Sequence, residues 1–267
     1  GIGRIEIARG AGASLTAPEA IGGTVNLVTS DPSEEKVELD IAAGSNGYRL
    51  VSGMATGISE DGRTKAILIG QYDNKDQFDG DKNGVSENPA LTNQSLTLSL
   101  SHDIDYSNNI RVRLNQTQSE VFGGPVLGDT ATSVSATLAS VNLGEADSLF
   151  EGNDVRNRYV GNAWETAEWV KTEREEASVS WLHEISSRLN VTSSLAYVDH
   201  TQDSFYESTD YYAEDTMFYT SIRFNYDLND KHLLTFGIDQ RKEEMRSASA
   251  ALEGTENYVS DSFDYDT

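Results

Sequence analysis

Strict alternation of apolar and polar residues is the feature that most constrains the fold of this chain. Between residues 95 and 103, Leu96, Leu98 and Leu100 alternate with serines and a threonine. A period of two places successive side chains on opposite faces of a β-strand, whereas a helix needs a period near 3.6. Similar patterns recur along residues 37–43, 48–57, 64–75, 110–115, 177–181, 189–197, 218–228 and 234–238. The sequence therefore predicts an all-β protein of about nine antiparallel strands.

The connections between these strands alternate in length. Those near residues 59, 107, 187 and 230 are tight, whereas those at 77–93, 121–168, 200–216 and beyond 245 are long. In an antiparallel meander alternate connections lie at the same end of the sheet, so the tight turns gather at one end. This sorting is typical of outer-membrane barrels, and a strand of roughly ten residues is long enough to cross a bilayer when tilted. We therefore predict a transmembrane β-barrel architecture.

The polar residues of the alternating strands indicate which face meets lipid. Arginine turned toward lipid at the bilayer midplane would cost about 2–4 kcal/mol, and acidic residues somewhat less. We therefore expect the apolar stripe to face outward. The lumen then receives the polar stripe, including Glu38, Asp40, Arg111 and Arg113.

Composition excludes several classes of protein. The net charge of −24, from 44 acidic and 20 basic residues, argues against a nucleic-acid partner. No cysteine is present, which removes disulfides and thiolate chemistry. No apolar run approaches the roughly 20 residues of a membrane-spanning helix. Because the chain has no starting methionine and ends in a polar stretch, we interpret it as a piece of a longer protein.

The first thirty residues form a separate unit. Two short apolar strands, around Ile5–Ile7 and Val25–Val28, are joined by a glycine-rich loop of small residues. The unit carries the pattern Arg-Ile-Glu-x-x-Arg-Gly at residues 4–10. After the loop comes Ala-Ile-Gly-Gly-x-x-Asn, two hydrophobic residues and Thr, at residues 20–29.

This pattern resembles the end of the plug domain of TonB-dependent outer-membrane receptors. Ala11 stands where the family commonly has proline, and Leu-Thr-Ala at residues 15–17 replaces its Leu-Tyr-Gly. The resemblance implies that residues 1–33 are the C-terminal part of a plug. Residues 34–267 would be the N-terminal part of a barrel that has about 22 strands in the full receptor.

The resemblance also implies a function. A receptor of this family in the bacterial outer membrane takes up a scarce nutrient: a ferric siderophore, haem, cobalamin or a glycan. Energy comes from the TonB–ExbB–ExbD complex, which would act through an N-terminal part that we expect to be missing here. The implied partners are this complex, the extracellular nutrient and outer-membrane lipid. Such a protein is not an enzyme and requires no cofactor.

Two groups of residues are candidate sites by resemblance or composition. In the family, plug arginines pair with barrel glutamates and hold the plug, so Arg4, Glu6 and Arg9 are candidates for a plug–barrel lock, with a solvated charge as the alternative. A large ligand needs aromatic area and directed polar groups, so the long connection at 121–168 is the candidate contact region. The candidate residues in this connection or just after it are Arg156, Arg158, Tyr159, Trp164 and Trp169, with packing among the loops as the alternative.

A third candidate site is a calcium loop. Asp79, Asp81 and Asn83 place oxygen ligands at alternate positions before a glycine, as at the start of an EF-hand loop. The twelfth position of that loop is Ala90 rather than glutamate, and Glu87 or Asp76 is the candidate substitute. Calcium binding and a solvated polar turn are both compatible with this spacing.

Two further function classes remain open from the sequence. A passive porin would have the barrel without a plug motif. A soluble secreted β-rich binding or adhesion module would have no reason to sort its connections by length. Detergent dependence of the full-length protein separates the soluble module from the two membrane proteins.

Overall fold

A computed structural model describes residues 2–10, 22–29, 31–80, 85–125, 168–206, 209–249 and 261–266. These residues form two antiparallel sheets. No helix in these ranges is long and apolar enough to cross a membrane.

The N-terminal hairpin consists of β1 (Ile2–Arg9) and β2 (Gly23–Thr29). The main sheet contains β3 (Lys36–Ala43), β4 (Arg49–Ile58), β5 (Thr64–Lys75), β6 (Val85–Asp105), β7 (Asn108–Pro125), β8 (Glu168–Ser186), β9 (Leu189–Tyr206), β10 (Thr209–Asn229), β11 (His232–Ser249) and β12 (Asp261–Asp266).

The main sheet is a meander in which each strand pairs with its neighbours in sequence, from β3 to β12. The predicted all-β architecture and the nine predicted strands, β3 to β11, are thereby confirmed. A tenth strand, β12, was not predicted, because its residues alternate too briefly among acidic neighbours. The boundary predicted at residue 33 falls between the hairpin and the main sheet, and the assignment of the hairpin to a plug stays a prediction.

The tight turns lie where the sequence predicts them, but the long connections predicted at 77–93 and 200–216 are wholly or partly strand. Six strands, β6 to β11, have 18 to 21 residues, about twice the predicted length. The predicted loop at 200–216 is wrong, because β9 and β10 continue through it and are separated by residues 207–208 alone. Residues 85–93 also belong to a strand. Most residues in these extensions are polar, and the apolar ones occur in adjacent pairs such as Val121 with Phe122, so alternation fades although the backbone pairing continues.

One tight turn at the opposite end of the sheet, between β3 and β4, depends on glycine. Asn46 and Gly47 both have positive φ, of 57° and 66°. A β-carbon at Gly47 would lie 1.9 Å from a carboxylate oxygen of Asp76, so no larger residue fits without rearrangement. The backbone N–H of Asp76 donates to the carbonyl oxygen of Asn46 over 2.9 Å, which ties this turn to the end of β5.

The two faces of the main sheet differ in chemistry, as predicted. On the outer face Val37, Leu39 and Ile41 are 81, 66 and 72% exposed. On the inner face a hydrogen-bonded row from β5 to β10 is polar throughout and consists of Lys65, Ser101, Arg111, Ser180, Ser194 and Ser221. An exposed apolar face of this extent requires an apolar environment, and lipid is the environment that suits a sheet with a polar inner face.

The apolar band on the outer face crosses the strands obliquely. One row of cross-strand partners on the outer face, here the central row, changes chemistry along the sheet. On β3 to β6 its residues are apolar or small: Leu39, Gly53, Gly70 and Leu96. On β7 to β9 they are polar: Gln116, Glu175 and Asp199. On β10 and β11 the apolar residues lie nearer the tight turns, where Phe224 and Phe236 stack with ring centroids 5.0 Å apart. Barrel strands tilt about 35–45° from the barrel axis, so a hydrogen-bonded row cannot stay at one membrane depth.

This orientation predicts opposite effects of the same substitution at adjacent residues. In the full-length receptor, Leu114→Arg places a charge on the outer face and should lower the free energy of unfolding in lipid vesicles by about 2–4 kcal/mol. The matched control Asn115→Arg points into the polar lumen and should change it little. Denaturant titration of the vesicle-inserted receptor measures both, and equal losses would contradict the assigned faces.

Candidate functional site

The linker between the N-terminal hairpin and the main sheet lies across the inner face of the sheet. At β4, the hydroxyl of Thr56 donates to the carbonyl oxygen of Glu34 over 2.8 Å and accepts from the backbone N–H of Lys36 over 2.8 Å. At β7, the guanidinium of Arg111 pairs with the carboxylate of Asp31, with 2.9 Å between Nη2 and Oδ2. The linker is therefore attached at both ends to strands that are not adjacent.

The two attachments lie three strand-to-strand steps apart, or about 14 Å. The linker bends at Ser33 and Glu34 before β3 begins. The long side chain of Arg111 reaches from β7 to the carboxylate of Asp31 and closes the distance.

An isoleucine on the polar face packs beneath the linker. Ile67 of β5 is only 7% exposed, although its neighbours on the inner face are mostly polar. It lines two small cavities together with Asp31 and Pro32 of the linker. Burial of an isoleucine side chain contributes about 1.5–3 kcal/mol, which exceeds the roughly 0–1 kcal/mol of a solvent-exposed ion pair. The apolar contact is therefore the stronger of the two attachments.

One of these two spaces, here the junction cavity, has a volume of about 160 Å³ and is rich in basic side chains. Lys65, Arg111 and Arg113 line it, together with one carboxylate, that of Asp31. Lys65 and Arg113 form no ion pair with any residue that the structure describes. The guanidinium of Arg111 also donates to the side-chain oxygen of Asn109 over 3.2 Å, which fixes its orientation. The junction is thus locally positive in a strongly acidic chain.

The predicted lock residues contact one another rather than the main sheet. Arg4 and Glu6 form an exposed ion pair with 2.6 Å between Nε and Oε1, and the amide of Asn26 donates to Glu6 over 2.9 Å. The hydrogen bond from Arg4, followed by that from Asn26, lowers the pKa of Glu6. Arg9 is exposed, and no bond between it and the main sheet is present in the described part of the chain. The lock role of these three residues stays a prediction.

The predicted ligand-contact residues fall mostly outside the described ranges. Four of them lie there, and their role in ligand contact stays a prediction: Arg156, Arg158, Tyr159 and Trp164. Trp169 is at the start of β8, where its indole N–H donates to a carboxylate oxygen of Glu120 over 3.1 Å. Its cross-strand partner is Phe122, which is 1% exposed. Trp169 therefore helps to hold β7 and β8 together beyond the apolar band.

The predicted calcium loop is described only in part. Asp81 and Asn83 lie outside the described residues, whereas Asp79 and Glu87 lie within them. A carboxylate oxygen of Glu87 accepts from the backbone N–H of Gly80 over 2.6 Å, and Phe78 pairs with Asn88 as an isolated bridge. Among the described residues no three His, Asp or Glu side chains converge as a metal site. Calcium binding stays a prediction.

Comparisons with known proteins agree with this geometry. No protein-family model matches the chain. The vitamin B12 transporter BtuB of Photobacterium profundum is 28% identical over 235 residues, which are 80% of this chain and 36% of the relative. The resemblance to TonB-dependent outer-membrane receptors is confirmed. The barrel fold and the outer-membrane location that the sequence predicts are confirmed with it.

Solved structures give the same fold. The ferripyoverdine receptor of the outer membrane of Pseudomonas aeruginosa, bound to ferripyoverdine, has a TM-score of 0.66 and 17% identity over 97% of this chain and 34% of that one. The copper transporter OprC has a TM-score of 0.65 and 14% identity over 96% of this chain and 36% of its own. The chain thus spans about a third of the length of the proteins it matches.

Sequence reasoning placed Arg111 in the lumen correctly but did not find the linker attachment. Asp31 was interpreted only as part of a strand-ending linker. A signal for the attachment was present, because Ile67 and Ile69 interrupt the polar side of β5. An apolar residue on a face that should be wet indicates that another segment covers it.

We expect the apolar contact to control linker attachment. In the full-length receptor, Ile67→Ser should raise hydrogen–deuterium exchange of the linker amides, those of Asp31 and residues 33–35, more than Arg111→Gln does. The reason is that the isoleucine contact is worth about 1.5–3 kcal/mol and the half-exposed ion pair about 0.2–1 kcal/mol.

The matched control is Ile69→Ser, which changes a 36% exposed isoleucine on the same face of the same strand. It should leave linker exchange close to that of the unmodified receptor. Equal exchange in the Ile67→Ser and Ile69→Ser variants would show that the linker does not depend on Ile67.

Proposed function

We propose that the full receptor takes up a scarce nutrient across the outer membrane by TonB-dependent transport. Residues 1–33 are then the end of its plug, and residues 34–267 the first part of its barrel. The observation that supports the proposal is the attachment of the linker to the inner face through Asp31 and Arg111, because a plug has to be joined to the barrel on that side.

The chemistry of the inner face supports transport rather than catalysis. The described strands present serine, threonine, asparagine and paired charges to the lumen, including Arg241 with Glu243 at 2.8 Å. The hydroxyl of Tyr219 donates to Asp239 over 2.9 Å. Such a wall stays hydrated and can line a path for a polar solute. The proposal needs no catalytic residue and no cofactor.

The proposed range of nutrients is wider than the range that the sequence indicates. A ferric siderophore, haem, cobalamin or a glycan remain candidates. The matched proteins are named as a vitamin B12 transporter, a ferripyoverdine receptor and a copper transporter. We extend the proposal to copper on that basis. The TonB–ExbB–ExbD complex is the proposed energy source, reached through a part of the receptor that precedes this segment.

The alternatives fit the structure less well. In a soluble secreted module the outer face would meet water. The side chains of Val37, Ile41 and Ile238 on that face are between 72 and 81% exposed, which is unfavourable in water. A passive porin gives no role to the N-terminal hairpin and its anchored linker. TonB dependence is the property that separates a porin from the proposed receptor.

The test is uptake by cells that carry the full-length receptor as their sole system for the nutrient. Labelled cobalamin, ferric siderophores, haem, glycans and copper are supplied one at a time, in cells with and without TonB. We expect one of them to bind the cell surface in both strains and to accumulate only when TonB is present. Accumulation that is equal in both strains would identify a passive pore instead.

A further inference from the structure

Two neighbouring side chains on the inner face of the main sheet hold buried polar atoms without a partner. They are His200 of β9, at its Nδ1 atom, and Asp215 of β10, at its Oδ1 atom. The two residues are direct cross-strand partners, so a hydrogen bond between them would satisfy both atoms, but it is not formed. Buried polar atoms are nearly always hydrogen-bonded, and each exception calls for an explanation such as a bound ion.

His200 differs from the other three histidines of the chain. The Nδ1 atoms of His102 and His183, on the outer face, lie 2.9 and 2.8 Å from side-chain oxygens. His232 lies beside a tight turn, at the start of β11. His200 is thus the histidine that faces the lumen, and its side chain forms no hydrogen bond in the described part of the chain.

Two thioether side chains lie beside the unpartnered pair. Met245 of β11 is the direct cross-strand partner of Asp215, and Met217 follows Asp215 by two residues on the same face of β10. Direct partners have β-carbons about 4.5–5.5 Å apart, and diagonal neighbours about 7–8 Å. A methionine has three rotatable bonds, so both sulfurs can turn toward a point between His200 and Asp215. We call these four residues the His–Met cluster.

The nearby basic side chains of the inner face leave the carboxylate of Asp215 uncompensated. Arg174, the partner of His200 on β8, forms an ion pair with Glu176 at 3.7 Å. Arg241 forms one with Glu243 at 2.8 Å. No basic side chain pairs with Asp215 in the ranges that the structure describes. A cation is therefore the natural counterpart of this carboxylate.

The chemistry of the four side chains favours copper over other cations. Thioether sulfur selects Cu(I), and imidazole nitrogen also suits copper. Calcium and magnesium prefer oxygen ligands, so two sulfurs argue against them. Among the described residues no three His, Asp or Glu side chains converge, so a site at this place is complete only with the thioethers.

We propose that the His–Met cluster binds Cu(I) and that copper is the nutrient of this receptor. The cluster lies on the inner face, toward the end of the sheet opposite the tight turns, which is the extracellular end in outer-membrane barrels. Copper that enters from outside therefore reaches the cluster before it reaches the linker. This inference rests on the proposed function, because it names the nutrient for the same path.

The thioethers are tested by Cu(I) affinity. Full-length receptor is purified in detergent, and Cu(I) is titrated in the absence of oxygen against a coloured Cu(I) chelator. We expect the double variant Met217→Leu, Met245→Leu to bind Cu(I) roughly tenfold more weakly, because leucine conserves the volume and removes the sulfur. The matched control is Met54→Leu, which changes the third methionine, on the inner face of β4.

Circular dichroism establishes that these variants keep their strand content. Cu(I) affinity that is unchanged in the double variant would overturn the proposal, because copper would then bind elsewhere in the receptor. Equal losses in the double variant and in Met54→Leu would do the same.

The identity of the ligands is tested by X-ray absorption at the copper edge. The receptor loaded with one equivalent of Cu(I) should show both sulfur and nitrogen neighbours. The sulfur signal should disappear in the double methionine variant and the nitrogen signal in His200→Ala. His102→Ala, on the outer face, is the control and should leave the spectrum unchanged. A spectrum without sulfur in the unmodified receptor would overturn the assigned ligands.

Uptake separates the cluster from the transport mechanism. We expect copper to accumulate only in cells that have TonB and to accumulate much less with the double methionine variant. Copper accumulation that needs TonB but is intact in the double variant would overturn the cluster alone. Accumulation that needs the methionines but not TonB would overturn the proposed transport and leave the cluster. TonB-dependent accumulation of another nutrient, with none of copper, would overturn copper as the nutrient.

Discussion

The hydrogen-bonded pairing of neighbouring strands from β3 to β11, with register shifts near a few strand ends, is the constraint on which the rest of this structure depends. In a bilayer no water is available to pair with backbone N–H and C=O groups, so each strand must pair fully with its neighbours. The nearest-neighbour meander meets this requirement for every internal strand of the main sheet. The edge strands β3 and β12 require partner strands of their own, which a closed barrel supplies.

Register also couples the two faces of the sheet. Once it is fixed, placing Leu39 and Leu96 toward lipid necessarily places Arg111 toward the lumen, because successive side chains alternate. The tilt of the strands then carries each row out of the membrane, which is why Leu96 and Glu175 share a row but occupy different environments. The alternation of side chains along tilted and paired strands thus explains the oblique apolar band, the acidic residues at its boundary on the outer face and the polar inner face.

Periodicity was sufficient to predict this part of the fold. Alternation located β3 to β11, the tight turns and the orientation of Arg111, since each is a local consequence of a period of two. It fails at the extensions of β6 to β11, where most residues are polar and the few apolar ones do not alternate, so that only backbone pairing distinguishes a strand from a loop. Strand β12 escapes prediction because its alternation extends over only six residues.

The attachment of the linker could not be predicted in the same way. The contact between Asp31 and Arg111 joins residues that are 80 positions apart, and only the completed sheet brings them together. Ile67 did carry a local signal, because it is apolar at a position where register requires a polar residue. That signal shows that something covers the residue but not which segment does so.

The two linker contacts differ in their physical character. The ion pair between Asp31 and Arg111, with side chains 32 and 51% exposed, is screened by water and salt, so it orients the linker more than it stabilises it. Packing of Pro32 near Ile67 has no directional requirement, and its contribution comes from removing the isoleucine side chain from water. The linker is therefore oriented by one contact and stabilised by the other.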